Sequence, residues 1–424
     1  MKTMKNVSDY LQRLQDKDLK VAILHSGGPA PGSNRVLAGA AKQFLDKNIP
    51  VVGFINGFEF LQSLKAEDLA EGEHYVEIDK HLMSQTLDYK AFFLSTSRAN
   101  PGKSIRNPQD LEDEEKTKRI HNILENFEKM RIGALITIGG DDTLKTANYI
   151  YKVAGNRLSN SEMLFNGAIV HVPKTIDNDY SGIAWTFGFF TAAGAAGDMV
   201  RGLYDDAKVT NCYHIVEMMG RKSGWYTAAA SIYGRGTKAV IPEDYQDEPF
   251  SLEILTRELV DIVVKREKAG KNYGVFCVSE GIAELLSDEE IAKIERDRHG
   301  NLRLAEAKIG EKVAKSVQAL YAEKTGGRKK FKSQIVGYET RQIPPLLYDV
   351  LLTSQLGVGA FRLIKEGKSG HMVTVKDNLE IDSIPFSKLI DPDTLLVKNR
   401  QIDVTGDFYK LLRSLEEHFN EEDK

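Results

Sequence analysis

Short β-branched or apolar runs alternate with longer segments of helical period along most of this chain, and no other property restricts its fold as much. Residues 20–24, 51–55, 134–138, 168–172, 214–218, 273–278 and 334–336 read as strands, and 34–46, 142–154, 186–207, 252–268, 305–324 and 346–366 as helices between them. A strand followed by a helix before the next strand builds a parallel sheet covered by helices, because a parallel crossover needs a dozen or more residues. So many of these units in 424 residues predict an α/β chain with two sheets, with room for two or three domains of about 150 residues each. Residues 285–330 break the rhythm. Mostly charged and helical in period, they end in the basic run Arg328, Lys329, Lys330 and read as an insertion or extended connection.

Charge excludes whole classes of partner. Lys and Arg number 57 against 61 Asp and Glu, a net charge of −4, so nothing global attracts nucleic acid or an anionic membrane. Any phosphate affinity has to be local. Cys212 and Cys277 lack CxxC spacing, which fits a reducing compartment and excludes a cysteine zinc site. The mixed charges of Lys2, Lys5, Asp9, Arg13, Asp16, Lys17, Asp18 and Lys20 contradict a signal peptide. No apolar run approaches the roughly 20 residues of a membrane span. A cytoplasmic protein is expected.

Ligands of open α/β sheets gather at the carboxyl ends of strands, and the unusual residues of this chain lie there. Ser26, Gly27, Gly28, Pro29, Ala30, Pro31, Gly32, Ser33 and Asn34 follow the first strand, where glycines let backbone N–H groups approach a phosphate and the next helix offers its positive end. The loop is neither a Walker A loop nor GxGxxG, so a plain βα turn accounts for it equally well. Gly139, Gly140, Asp141, Asp142 and Thr143 again open a helix. Asp141 can reach a magnesium ion that bridges phosphate oxygens, although Asp there is also a common helix cap. Met219, Gly220 and Arg221 present a planar fork suited to a phosphate, where a lone Arg is more often solvated or salt-bridged. Ser279, Glu280 and Gly281, then Gly337, Tyr338, Glu339, Thr340 and Arg341, offer a carboxylate for sugar hydroxyls and a further cation.

The densest chemistry is in Pro173, Lys174, Thr175, Ile176, Asp177, Asn178 and Asp179, directly after the run 168–172. Asp at alternate positions puts two carboxylates near one sheet edge, where one can accept a proton and the other hold a cation. Taken alone, the segment is also an ordinary turn rich in Asp, Asn and Pro.

In this order, the SGGPAPGSN loop, GGDDT, PKTIDND, the MGRKSGW turn, SEG and a degenerate GYETR resemble the phosphofructokinase family over residues 20–370. The resemblance implies two Rossmann-like three-layer α/β domains with the active site in the cleft between them. Its expected boundaries are 1–188 plus about 340–395 for the phosphate donor, and 189–339 plus about 396–424 for fructose 6-phosphate. It implies Mg²⁺ as cofactor, held by Asp141, and a homodimer or homotetramer. Position by position, Asp177 becomes the base for the sugar 1-hydroxyl. Asp179 lies close to the metal and the attacking oxygen, and Thr175 bonds the transferred phosphoryl group. Gly27 and Arg98 face the donor, while Met219, Gly220, Arg221, Glu280, Tyr338 and Arg341 line the sugar phosphate pocket. Phosphoryl transfer needs this set: a positioned hydroxyl, a base, a metal and fixed positive charge.

Two positions bear on the donor. ATP-using members usually have Gly where this chain has Asp142 and Gly where it has Lys174, and this pair resembles the pyrophosphate-dependent branch. An Asp in the nucleotide's path adds bulk and like charge, and two charges roughly 4 Å apart repel by about 4 kcal/mol at an effective dielectric near 20. Pyrophosphate has no nucleoside to anchor it and gains from the extra cation, since Lys174 can neutralise the departing phosphate. Departures from the family pattern are Cys212, standing where many members have an Arg that reaches into a neighbouring subunit's sugar phosphate, Lys332, standing where many have Arg, and Gln342-Ile343 in place of Gly-Gly. Lys332 can still contact a phosphate as a point charge. An ATP-dependent enzyme of the same fold, a lipid or NAD kinase sharing GGD, and a non-catalytic regulatory subunit are the competing readings. PKTIDND argues against the lipid and NAD kinases, and the retention of Asp177 and Asp141 against the regulatory subunit. Another sugar phosphate, such as sedoheptulose 7-phosphate, is a further possible acceptor.

Overall fold

The alternating runs become two separate sheets in a computed structural model that describes residues 9–88, 92–159, 165–246, 250–292, 294–295, 302 and 304–416. The first unit comprises Met1–Thr175, Tyr180–Gly188 and Pro344–Lys398, and the second Ile176–Asp179, Phe189–Ile343 and Asn399–Lys424. The chain therefore leaves the first unit within the turn after residue 173, and residues 176–179 group with the second unit, not with the donor half anticipated for them.

The first sheet contains β1 (Lys20–Ser26), β2 (Val51–Phe54), β3 (Tyr75–Ile78), β4 (Ile132–Gly139) and β5 (Ala168–Pro173). The second contains β6 (Tyr213–Met218), β7 (Lys238–Val240), β8 (Gly274–Ser279) and β9 (Phe331–Val336), after which β10 (His371–Val375) and β11 (Ile381–Pro385) return to the first. Its order is β11-β10-β5-β4-β1-β2-β3, parallel except for β3 and β11 at the two edges. Every residue of β4 is buried, as a central strand with helices on both faces requires. The second sheet, β7-β8-β6-β9, is parallel throughout, and β6 and β8 are buried along their whole length. Its core is organised around Tyr213, whose ring stacks on Phe276 and Phe331 with centroids 5.5 and 5.6 Å away.

The stretch 285–330 is not simply an insertion. Its helix Ile309–Thr325 supplies Ile309, Val313, Val317 and Tyr321 to the core under the second sheet, the four-residue spacing of one helical face. Residues 293, 296–301 and 303 of that stretch lie outside the described residues.

Strand order decides where loops meet. In the first sheet the direction of winding reverses between β1 and β4, which pair in register from Val21↔Ala134 to Ser26↔Gly139. The two glycine-rich loops are thus neighbours at a topological switch point, the place where open α/β sheets bind ligands. In the second sheet Met218 lies between Ser279 and Val336, so the loops after β6, β8 and β9 emerge side by side.

Candidate active site

The first unit gathers one group of the expected residues. Gly27 takes φ 85°, a left-handed conformation that favours glycine, and its N–H donates to Ser97 O at 2.9 Å. Thr96 Oγ1 donates to Gly27 O at 2.6 Å and Ser26 Oγ to Ser97 O at 3.2 Å. The loop after β1 is thereby tied to the segment carrying Arg98, whose side chain is exposed. Lys174 continues from β5, which pairs with β4 through Gly139↔Pro173, and its N–H donates to Gly139 O at 2.9 Å. Its side chain is only 7% exposed, and its Nζ lies 3.5 Å from where a Cβ on Gly27 would sit. A buried ammonium therefore stands over the glycine loop. Two imidazoles feel its charge. Burial, and after it Lys174, pushes His25 well below the usual imidazole range. Burial likewise pushes His171 down to about 3, opposed by the Gly139 backbone and assisted by Lys174. Both stay neutral, so neither adds to the charge of the ammonium.

Asp141 opens the helix Asp141–Ser159 directly after Gly139 and Gly140, and Thr175 is half-buried beyond Lys174. Asp142 is exposed, and its Oδ1 lies 2.6 Å from Lys145 Nζ, one helical turn on. Its negative charge is partly offset by that ammonium, so the like-charge argument against a nucleotide weakens and the argument from bulk remains.

The second unit gathers the other group. Gly220 has φ 121°, and a Cβ there would come within 2.7 Å of Ser223 O, so this sharp turn requires glycine. Its carbonyl accepts from Ser279 Oγ at 2.8 Å and from Gly281 N at 3.2 Å, which joins the loops after β6 and β8. Glu280 is the electrostatic centre of this group. Burial first, and then the charge of Asp177, raises its carboxyl to about 7, against the pull of Arg221 and Arg341. Arg221 is partly engaged by the chain itself, with Nη2 donating to Leu302 O at 2.7 Å and Nε 3.7 Å from Glu284. A cradle wall is set by Met219, whose Sδ is 3.3 Å from a Cβ placed on Gly337. Tyr338 is 66% exposed, with the Arg341 guanidinium 4.8 Å from its ring centroid. Beneath them Tyr226 OH bonds Thr340 Oγ1 at 3.0 Å, anchoring the turn after β9 to the helix Trp225–Gly234.

Residues 177–179 are held by their backbone. Asp177 O accepts from Ser223 Oγ, and Asn178 O from the Arg400 guanidinium. Asp179 O accepts from Arg400 N–H, and burial lowers the half-buried guanidinium from its usual range, opposed by the charge of Asp179. Arg400 was missed by sequence reading. It lies 222 positions from Asn178 outside any motif, and nothing local marks it. Glu217, at the head of the segment that carries Gly220 and Arg221, had no role assigned from sequence. Buried on β6, it accepts Gly310 N–H at 2.9 Å at the start of the helix Ile309–Thr325, and burial raises its carboxyl.

Lys332 lies apart from this group. Lys332 pairs with His214 in the sheet register, at the amino end of β9, whereas Val336 pairs with Met218 at the other end. Four residues of parallel strand separate the two ends by about 13 Å, so this chain does not bring Lys332 together with Glu280, Tyr338 or Arg341. Instead Lys332 Nζ is 3.2 Å from Asp206 Oδ2, the oxygen that also meets His214 Nε2 at 2.8 Å. Cys212 Sγ is 3.7 Å from that same imidazole nitrogen. Asp206, Cys212 and His214 are, among the described residues, a group that could hold a metal, but Lys332 already balances the carboxylate.

The sequence profile of the family described as phosphofructokinase matches residues 20–364. A pyrophosphate–fructose 6-phosphate 1-phosphotransferase of Thermotoga maritima is 33% identical over 405 residues, which cover 93% of this chain and 89% of the relative. An ATP-dependent 6-phosphofructokinase of Spirochaeta thermophila is 30% identical over 382 residues, 88% of this chain and 93% of that one. Among solved structures, the pyrophosphate-dependent phosphofructokinase of Marinobacter aquaeolei superimposes with a TM-score of 0.66 at 18% identity, covering 94% of this chain and 91% of its own, which speaks to the fold.

Proposed function

Because the chain belongs to the phosphofructokinase family, we propose that it transfers a phosphoryl group from pyrophosphate to the 1-hydroxyl of D-fructose 6-phosphate, giving fructose 1,6-bisphosphate and phosphate. The observation that carries the donor assignment is Lys174: a 7% exposed ammonium standing over Gly27 at the switch point of the first sheet. A donor without a nucleoside has little besides its phosphates to be held by, and a fixed cation there favours the phosphate that departs. Asp142 adds bulk at the opening of the neighbouring helix.

The roles follow from the chemistry of each group. Asp177 takes the proton of the sugar hydroxyl, whose oxygen attacks the terminal phosphorus while the bridging P–O bond breaks and phosphate leaves toward Lys174. Thr175 bonds the phosphoryl group in transit, and Asp179 stands beside the base. Arg221 and Arg341 hold the sugar phosphate. Glu280, raised to about 7, can donate as well as accept a hydrogen bond at a sugar hydroxyl. Asp141 suits Mg²⁺, a hard carboxylate beside Gly140, where a Cβ would meet only Lys174 O, at 3.7 Å. Magnesium is commonly bound by one or two carboxylates together with substrate phosphates, and it would supply charge neutralisation among the phosphate oxygens. Pyrophosphate transfer releases little free energy, so the reaction runs in both directions, serving glycolysis and gluconeogenesis.

The test is direct. Purified protein with Mg²⁺ and fructose 6-phosphate should turn over with pyrophosphate far faster than with ATP. Comparable or better turnover with ATP would sink the donor assignment, and Asp142, its charge offset by Lys145, would then be no barrier to a nucleotide.

A further inference from the structure

Residues 177–179 are held more firmly than a connecting turn needs. Three consecutive carbonyls are gripped by groups of the second unit: Asp177 O by Ser223 Oγ at 3.1 Å, Asn178 O by Arg400 Nε and Nη2 at 3.2 and 2.9 Å, and Asp179 O by Arg400 N–H at 2.7 Å. Between the outer two, Asn178 is fully buried with φ 54°, a left-handed backbone that residues other than glycine adopt uncommonly. A conformation of that kind persists where surrounding bonds over-determine it.

The gripping groups are themselves joined. Glu243, 2% exposed, accepts Gly224 N–H through both carboxylate oxygens at 2.9 and 3.0 Å, immediately after Ser223. The same Oε1 accepts Ile402 N–H at 3.0 Å, just beyond Arg400. Trp225 completes the link, with its ring 5.2 Å from the Arg400 guanidinium and packed on Phe408 at 4.6 Å. One buried carboxylate thus binds together the two segments that hold the turn.

We infer that Arg400, Ser223 and Glu243 are positioning residues that aim the Asp177 carboxylate at the hydroxyl it deprotonates. The inference rests on the proposed role of Asp177 as base. The bond to Asp177 O fixes the peptide plane that follows Asp177, and the bonds to Asn178 O and Asp179 O lock the next two residues, so the backbone carrying the Asp177 carboxylate is anchored on that side; a base displaced by an ångström loses much of its rate. The guanidinium is needed for its shape: two N–H groups converge on one carbonyl, which a single ammonium cannot reproduce.

The experiment measures steady-state kinetics of the full chain. Arg400→Lys keeps the charge and loses the fork; its kcat should fall about ten- to hundredfold while KM for sugar and donor stays within about threefold. In Arg400→Ala, added guanidinium should restore part of the lost kcat. An Arg400→Lys variant within about twofold of the parent kcat would overturn the inference, since charge alone would then suffice. If the Arg400 variants do not fold, Ser223→Ala decides: a kcat lowered about three- to tenfold supports the clamp, and an unchanged one overturns it. The underlying role fails separately, through an Asp177→Ser variant of near-normal kcat, whatever the Arg400 variants do.

Discussion

The carboxyl edges of the two sheets are built from different materials. At the first, the loop after β1 is held through its backbone by uncharged groups, Gly27 N–H to Ser97 O and Thr96 Oγ1 to Gly27 O, around one buried ammonium whose imidazole neighbours stay neutral. At the second, ionisable side chains act on one another: Asp177, Arg221, Arg341 and Glu217 all bear on the carboxyl of Glu280. Backbone cradles hold their shape when one side chain changes, whereas a network of charges redistributes. Substitutions in the first unit should therefore act separately, and those in the second should be coupled.

The largest expected effect lies in the second unit. Asp177→Ser should lower kcat by about 10³- to 10⁴-fold, the upper range for removing a general base, with the sugar KM little changed. Initial-rate kinetics check this, and a combined Asp177→Ser, Glu280→Gln variant should show non-additive losses in sugar binding. Additive losses would remove the distinction between the two edges.

Next comes the cation of the first unit. Lys174→Met should cost about 10²- to 10³-fold in kcat with pyrophosphate, as the loss of one fixed positive charge at a departing group does elsewhere. Sugar KM should stay constant. Combining Lys174→Gly with Asp142→Gly should admit measurable ATP turnover. If ATP use stays undetectable, something other than bulk at Asp142 sets the donor.

The smallest effect is on stability. The Glu280 carboxyl is raised to about 7 in the fold from an ordinary 4.5, so the fold favours its neutral form. Its contribution is fully present below the unfolded value and is lost as pH rises through the folded one. Glu280→Gln should therefore gain about 1–3 kcal/mol relative to the parent between pH 5 and pH 8. Urea unfolding at the two pH values measures it. A constant difference would mean that Glu280 ionises freely and does not join the network.

Much of this was legible before any coordinates. The runs at 134–138, 168–172 and 214–218 announce central strands because burial on both faces demands continuous β-branched or apolar residues. β3, β7, β10 and β11 escaped notice: β7 has three residues, and the edge strands β3 and β11 have one buried residue and none to impose a pattern. The site motifs were readable for a related reason, since glycines, Asp and Arg directly after such runs have few structural duties. The pairing of Asp142 with Lys145 was within reach too, because their three-residue separation is helical spacing.

Arg400, Glu243 and the place of Lys332 at the amino end of β9 were beyond reach. Whether a residue near a strand lies at its amino or carboxyl end depends on register, and register is set by the partner strand. The sequence by itself determined which side chains carry chemistry and that they follow strands, because strand and helix periods are local properties. Only the tertiary structure decided which loops are neighbours, that Lys174 stands over Gly27, and that the Asn178 carbonyl is gripped from 222 positions away. Strand order and long-range hydrogen bonds follow from packing the whole chain at once, and no local pattern encodes them.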